Sequence, residues 1–438
     1  MKFSMFRFSI GVLLSVHGSV LYSQDTQAST ALYDRLQAIQ GVVKVAAANN
    51  NADLFRESYV LRFSQPVNHA EPNGPSFLQR VFVSHVDCHK PVLLETEGYA
   101  SWGNRGGGEL LHILGANRIT VEHRYFGQSV PEPRDWQYLT VKQSADDLHC
   151  IVKRLKSLYP GKWISSGRSK GGQTALFYKC HYPEDVDAVV AYVAPVNLSQ
   201  EDPRMTQFPF VAGDAKTRKM IQDYQRILLQ REDEILPLIR AEAEQKRWTF
   251  GMGLATAYEY GVLEYPYSFW QDGGIDPNQI PSPDAPIETL TSHYQKAGVL
   301  WYYSDQGKKM FEPFLYQAYT EIGYYNYDIT PFKPYLKALE RPSNRILCPE
   351  DASIAFHPAT MYFVHHFLQY KADRVIYIYG EKDAWSASQI QLLGHTDAFK
   401  YVVSDAHHGA GIRRFSPEQK ASFYANMERW LKMPLNRL

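Results

Sequence analysis

The pentapeptide Gly167-Arg168-Ser169-Lys170-Gly171 constrains this chain more than any other stretch. A strand-like run, 162–166 (KWISS), leads directly into it, and a helix-like run, 172–178 (GQTALFY), leaves it. Gly-x-Ser-x-Gly between a strand and a helix is the pattern of a nucleophile elbow. Such a turn is too tight for side chains at its flanking glycines. It holds a serine hydroxyl above the sheet edge at a helix N-terminus, where backbone N–H groups can receive an oxyanion.

The rest of the chain supplies a sheet for that elbow. Runs 59–63 and 78–83 read as strands joined by a turn-rich stretch at 65–69. Short apolar or β-branched runs at 92–94 and 118–121 have the character of buried parallel strands. Residues 143–158 carry helical spacing (Ala145, Leu148, Ile151, Val152, Leu155), and 186–193 reads as another buried strand. Strand alternating with helix predicts a doubly wound α/β sheet. After Pro195 the rhythm changes. Apolar residues recur at helical spacing through 216–247 (Met220, Ile221, Tyr224, Ile227, Leu228, Ile235, Leu238, Ile239), with a kink or split predicted at Pro237. Helix-like, aromatic segments continue to about Leu339, interrupted by a loop holding Pro277, Pro281, Pro283 and Pro286. A helix at 358–370, strands at 374–380 and 401–403, and a helix at 417–431 restore the α/β rhythm. The predicted organisation is a core of residues 24–198 and 346–438, with a helical cap of 199–345 inserted between its halves.

Composition excludes several partners. Lys plus Arg and Asp plus Glu balance at 46 each, and no basic run stands out, which argues against a nucleic-acid partner or an electrostatic membrane anchor. Residues 1–23 place Lys2 and Arg7 ahead of an apolar stretch, 8–21, too short and Ser-rich to span a bilayer. They read as a signal peptide, so the mature chain is expected to be exported, periplasmic or secreted, without a membrane span. Cys88, Cys150, Cys180 and Cys348 fit no zinc spacing. Export permits disulfides, and four cysteines allow three pairings, but buried free thiols fit equally well.

A serine nucleophile needs a base, and the base needs a carboxylate to orient it. In α/β-hydrolases these follow in the order Ser, Asp, His, in loops after strands. Asp383 lies in 380–385 (GEKDAW), just past one strong strand, and His407-His408-Gly409 lies just past the next. A loop aspartate is more often a cap, and a histidine after a strand more often structural. Order and position together select Ser169, Asp383 and one of the two histidines. Asp383 would fix the imidazole tautomer, and the histidine would take the Ser169 proton and later give it to the leaving amine. The oxyanion donors are the N–H of Lys170 and one from the loop after 92–94, where Gly98 permits close approach, so Gly98 or Tyr99. Glu97 and Trp385 are candidates for substrate contact. His365-His366 point about 100° apart on a helix, and His123 and His149 read as hydrogen-bonded structural residues. No metal and no cofactor is predicted.

The run 121–129 (VEHRYFGQS) resembles the E-H-R-[FY]-[FY]-x-x-S stretch of two related serine peptidase families. The nearer is the secreted bacterial tripeptidyl aminopeptidases, serine peptidase family thirty-seven. The more distant includes lysosomal Pro-X carboxypeptidase and dipeptidyl-peptidase II. The nearer match extends over 96–99 (TEGY), Asp135-Trp136, Leu139-Thr140, 161–163 (GKW), 169–172 (SKGG), 182–187 (YPEDVD) and 191–195 (AYVAP), with a second block at about 374–432. The resemblance implies an α/β-hydrolase with a helical cap that cleaves short peptides from free N-termini. Ala384 stands where the family has Pro, which leaves the acid in place. The frame His408-Gly409-Ala410-Gly411-Ile412 matches the family's His and prefers His408, while the distant group keeps His407 open. The alternatives are a Pro-specific dipeptidyl peptidase or carboxypeptidase, or a carboxylesterase with the same triad.

Overall fold

The computed structural model describes residues 31–103 and 106–438, so the signal-like segment 1–23 lies outside the described residues. These residues form one nine-stranded sheet in the order β1-β2-β3-β5-β4-β6-β7-β8-β9. Its strands are β1 (Val42–Ala47), β2 (Glu57–Pro66), β3 (Ser76–His85), β4 (Val92–Thr96), β5 (Asn117–Val121), β6 (Trp163–Arg168), β7 (Ala188–Tyr192), β8 (Val375–Gly380) and β9 (Ala398–Val403). From β5 to β9 every neighbouring pair is parallel, and β1, β2 and β3 extend the β5 edge antiparallel. The parallel strands are covered on both faces, which is why they read as unbroken apolar runs. Successive residues alternate between the two cores. Leu94, Val189 and Tyr377 face one core, and Leu93, Val190 and Ile376 face the other.

The first core is filled by α1 (Ala31–Gln37), α3 (Val141–Leu155) and α4 (Lys170–His181), the second by α2 (Glu109–Leu114) and α12 (Pro417–Leu431). Strand order, mixed edge and helices on both faces make this an α/β-hydrolase fold. Between β7 and β8 the chain leaves the sheet for α5 (Pro203–Val211), α6 (Ala215–Gln230), α7 (Glu232–Lys246), α8 (Leu254–Asp272), α9 (Ile287–Ala297), α10 (Asp305–Gln317) and α11 (Pro358–Tyr370).

Two local expectations differ from the structure. The helical stretch 216–247 breaks at Arg231 (φ −101°, ψ 22°), whereas Pro237 sits inside α7. The break falls in the apolar-free run 230–234 (QREDE), which offers no hydrophobic side chain to carry the helix's apolar stripe through, and the acidic residues there suit a helix N-terminus. The polar stretch before 59 contains α1 and the edge strand β1. Only Val42 and Val45 of β1 are buried, too little alternation to stand out in sequence.

Candidate active site

Ser169 links β6 to α4 with φ 56° and ψ −127°, a conformation that costs on the order of 1–3 kcal/mol and persists only where packing enforces it. The packing is explicit. A Cβ on Gly167 would lie 2.3 Å from the Gly171 carbonyl, and one on Gly171 would lie 2.5 Å from the Thr96 carbonyl oxygen. The 98–99 loop closes equally tightly, because a Cβ on Gly98 would meet Lys170 Cβ at 2.5 Å. Lys170 opens α4, and among the described residues neither Gly98 N–H nor Tyr99 N–H has a hydrogen-bond acceptor.

Asp383, in the loop after β8, is fully buried, and its Oδ2 lies 2.9 Å from His408 Nδ1. A carboxylate acceptor at Nδ1 places the imidazole proton there and leaves Nε2 as the basic nitrogen. Trp385 N–H donates to the other carboxylate oxygen (3.3 Å). His407 turns away, with Nδ1 2.6 Å from the Trp270 carbonyl and its ring stacked on Trp270. Among the described residues no hydrogen bond joins Ser169 Oγ to His408. The two are held near each other by Arg168, whose guanidinium donates to the carbonyls of His408 (2.6 Å) and Ala410 (3.0 Å).

The segment 122–124 supports the 97–101 loop from behind. Glu122 accepts from Ser101 N–H (2.9 Å), Gln128 N–H (2.9 Å) and Ser129 Oγ (2.8 Å), and pairs with Arg80. His123 N–H donates to the Tyr99 carbonyl (3.2 Å). Arg124 grips Asp147 with two bonds of 2.7 and 2.8 Å. Glu97 lines a small cavity with Glu122, His123 and Asp147 on this inner side. Its burial, with Glu95 and Glu122 nearby, pushes its carboxyl up to about 8.

The cap closes over the site through α8 and an aromatic wall. Gln271 accepts His408 N–H at its carbonyl (3.1 Å) and Trp385 Nε1–H at its side chain (2.6 Å). From the 98–99 loop the wall runs Tyr99, Phe314, Tyr324, Trp385, with ring centroids 5.6, 5.3 and 5.6 Å apart in turn. Tyr325 also meets Trp385 at 5.6 Å. Behind it stands Glu264, 8% exposed, which accepts from Tyr325 (2.8 Å) and Tyr327 (2.7 Å) and forms no ion pair among the described residues. Burial pushes its carboxyl up, the three hydroxyls of Tyr327, Tyr325 and Tyr303 pull it back, and it settles at about 7.

Arg168, Gln271 and Glu264 were not legible as site residues. Arg168 sits inside the informative pentapeptide, yet nothing in the sequence says where a long side chain there will reach. Glu264 lies in a helix whose aromatic residues occur on every side, so no periodicity marks a functional face. All four cysteines are free thiols, with Cys180 and Cys348 buried.

Residues 26–436 match the family described as PS-10 peptidase S37. The chain is 31% identical over 382 residues to a prolyl tri/tetrapeptidyl aminopeptidase of Streptomyces mobaraensis, covering 85% of this chain and 79% of that protein. It is 31% identical over 157 residues to the lysosomal Pro-X carboxypeptidase of Homo sapiens, covering 31% of this chain and 32% of that one. Among solved structures, VinJ aligns with 85% of this chain and 98% of its own at 12% identity and a TM-score of 0.38.

Proposed function

The chain belongs to the PS-10 peptidase S37 family and is a serine peptidase, and from that premise we propose that it releases short peptides, about three residues long, from free N-termini. The observation that carries the N-terminal reading is the placement of Glu264. It lies on α8 seven residues before Gln271, whose carbonyl holds the His408 loop. Seven residues are nearly two helical turns, so both share one face, about 10 Å apart along the axis. An extended peptide covers that distance in about three residues. A carboxylate met only by neutral phenols keeps its charge available for a substrate ammonium, and surrounding aromatic faces favour the same cation. The similar Streptomyces protein is named for tri- and tetrapeptide release, in keeping with this spacing.

In this mechanism Ser169 Oγ attacks the scissile carbonyl carbon while His408 Nε2 takes its proton. Asp383 accepts the Nδ1–H bond and stabilises the imidazolium. The carbonyl oxygen, now anionic, receives N–H bonds from Lys170 and from Gly98 or Tyr99. Collapse breaks the C–N bond, and His408 returns the proton to the departing amine. Water, deprotonated by His408, then cleaves the Ser169 ester and frees the N-terminal peptide. Trp385 and the aromatic wall line the path between the two ends of the peptide. Lys2 and Arg7 ahead of the apolar stretch 8–21 support export of the chain.

The test compares a tripeptide reporter amide bearing a free N-terminus with its N-acylated twin, alongside dipeptide and tetrapeptide reporters and Ser169→Ala. Cleavage of the free tripeptide, weak cleavage of the acylated one and loss in Ser169→Ala are expected. Equal cleavage of both would sink the aminopeptidase reading and point to an endopeptidase or esterase. Release from the C-terminal end would make it a carboxypeptidase.

A further inference from the structure

Lys170 carries a charge that the mechanism above does not use. Its backbone opens α4, but its side chain turns inward and is 3% exposed. The ammonium lies 3.2 Å from His123 Nε2 and over the rings of Phe126 (5.5 Å) and Tyr99 (5.9 Å). His123 Nδ1 lies 2.8 Å from the Arg124 carbonyl, which can only accept, so Nδ1 bears the proton and Nε2 offers a lone pair. Lys170 is therefore the donor. No carboxylate balances it among the described residues, and burial alone pulls its amine down to about 7. Burying a cation without a counter-ion is costly, and a methionine would fill the same space without that cost.

The position of this charge suggests its use. The four-carbon stem keeps the ammonium within about 7 Å of the Lys170 amide, itself a candidate oxyanion donor. His123, to which it donates, also holds the Tyr99 carbonyl, and Tyr99 belongs to the loop offering the second donor. We propose that the Lys170 ammonium is a positioning residue for the oxyanion: held by His123, it ties the elbow to the 98–99 loop and places an unneutralised positive charge behind the site where negative charge develops. In a dry interior such a field acts over this range with little screening.

The groups around it do not cancel the charge. From the segment after β5, burial and then the charge of Lys170 hold His123 well below its usual range, hence neutral, and Arg124 beside it is a cation committed to Asp147. From the oxyanion loop, burial pushes the Tyr99 phenol up, and Glu97, raised to about 8, is mostly protonated at pH 7. From α4 itself, Thr174 offers only a hydroxyl, bonded to the Lys170 carbonyl. The free-enzyme reactivity of Ser169 should therefore decline as pH rises through about 7 and Lys170 discharges.

The proposal rests on Ser169 as nucleophile but not on peptide specificity, so the test uses an uncharged alkyl fluorophosphonate. Ser169 Oγ forms a bond to phosphorus, fluoride leaves, and the serine proton passes to His408. The second-order rate is followed from pH 5 to 10 for the wild type, Lys170→Met and Lys170→Arg, with thermal unfolding in parallel. The wild type should show a descending limb above pH 7. Lys170→Met should react about 10- to 100-fold more slowly at pH 6 and lack that limb. Lys170→Arg, which stays charged, should react throughout without it. A wild-type rate and limb in Lys170→Met would overturn the proposal. If that variant does not fold, a descending limb centred near pH 7, below the Glu97 titration at about 8, persisting in Lys170→Arg would overturn it equally. No reaction of the wild type at all would instead defeat the Ser169 assignment, and the Lys170 role with it.

Discussion

Two buried carboxylates, Asp147 beneath the sheet edge and Glu264 in the cap, are oppositely furnished. Asp147 is 1% exposed and is met by the Arg124 guanidinium and by His69 (2.7 Å). Glu264 is 8% exposed and is met by tyrosine hydroxyls. A carboxylate closed by its own cations is finished, and here it anchors the Arg124 segment. A carboxylate closed by neutral donors keeps a deficit of positive charge that an incoming ammonium can fill.

The sharpest way to break that comparison is Arg124→Met. It leaves Asp147 buried with a single partner and frees the carbonyls of Pro66, Val67 and Tyr138 that Arg124 now bonds. Removing one member of a buried pair costs about 3–5 kcal/mol. A lower urea midpoint corresponding to that loss of unfolding free energy is expected, with activity falling because the folded fraction falls. An unchanged midpoint would show that Asp147 is relieved by His69 alone.

Glu264→Gln should behave differently. The amide still accepts from the tyrosines, so stability should move by no more than about 1 kcal/mol. KM for a free-amine tripeptide should rise about 10- to 100-fold, while turnover of an N-acylated or simple ester reporter stays level. A large loss of stability with KM unchanged would make Glu264 a structural core group and return the amine to another partner.

How much of this could be read from the sequence depends on how local each feature is. The elbow was legible because its cause is steric and lies within five residues. The closeness of Asp383 and one of the two histidines was legible because each loop follows a strand, and a parallel sheet delivers such loops to one edge. Strand position left His407 and His408 open, and only the family resemblance favoured His408, whose Nδ1 lies 2.9 Å from Asp383. The run 122–124 could be matched as a pattern, but Arg124 finds Asp147 23 residues away inside α3, a pairing no spacing rule announces. Glu264 meets Tyr325 and Tyr327 across 61 and 63 residues. Its helix is aromatic on all sides because it is buried on all sides, and a helix of that kind hides which of its faces does chemistry.

pH separates the two carboxylates further. Burial lowers the His69 imidazole, but hydrogen bonds to Asp147 and Cys150 outweigh it and lift it from 6.5 to about 9. Its contribution to stability is thus complete below pH 6.5 and lost as pH rises through about 9. Glu264 is raised from 4.5 to about 7. Between those values the unfolded chain gives up its proton first, so stability falls across pH 4.5–7. Urea midpoints measured from pH 4 to 10 should show a shallower upper slope in His69→Gln and a shallower lower one in Glu264→Gln, Glu97 supplying part of the lower slope that remains. Slopes that stay put in both variants would mean that neither group titrates in the window its surroundings dictate.

The smallest expected effect is also the most discriminating. Tyr327→Phe removes one of the hydroxyls on Glu264 and one donor to Asn344 (3.0 Å). A neutral hydrogen bond in a buried network is worth about 1 kcal/mol net, so the unfolding free energy read from urea should fall by about that much. The hydroxyl stabilises the ionised carboxylate, so its loss should raise the proton affinity of Glu264 further. In the proposed site a free-amine substrate needs the ionised form. KM for the tripeptide should therefore worsen mainly below pH 7 and recover above it, whereas N-acylated reporters should show no such dependence. A purely structural Glu264 would give the same small stability loss with a KM that is flat in pH. The shape of that profile, rather than its size, decides whether the phenols around Glu264 hold a core together or hold a charge ready.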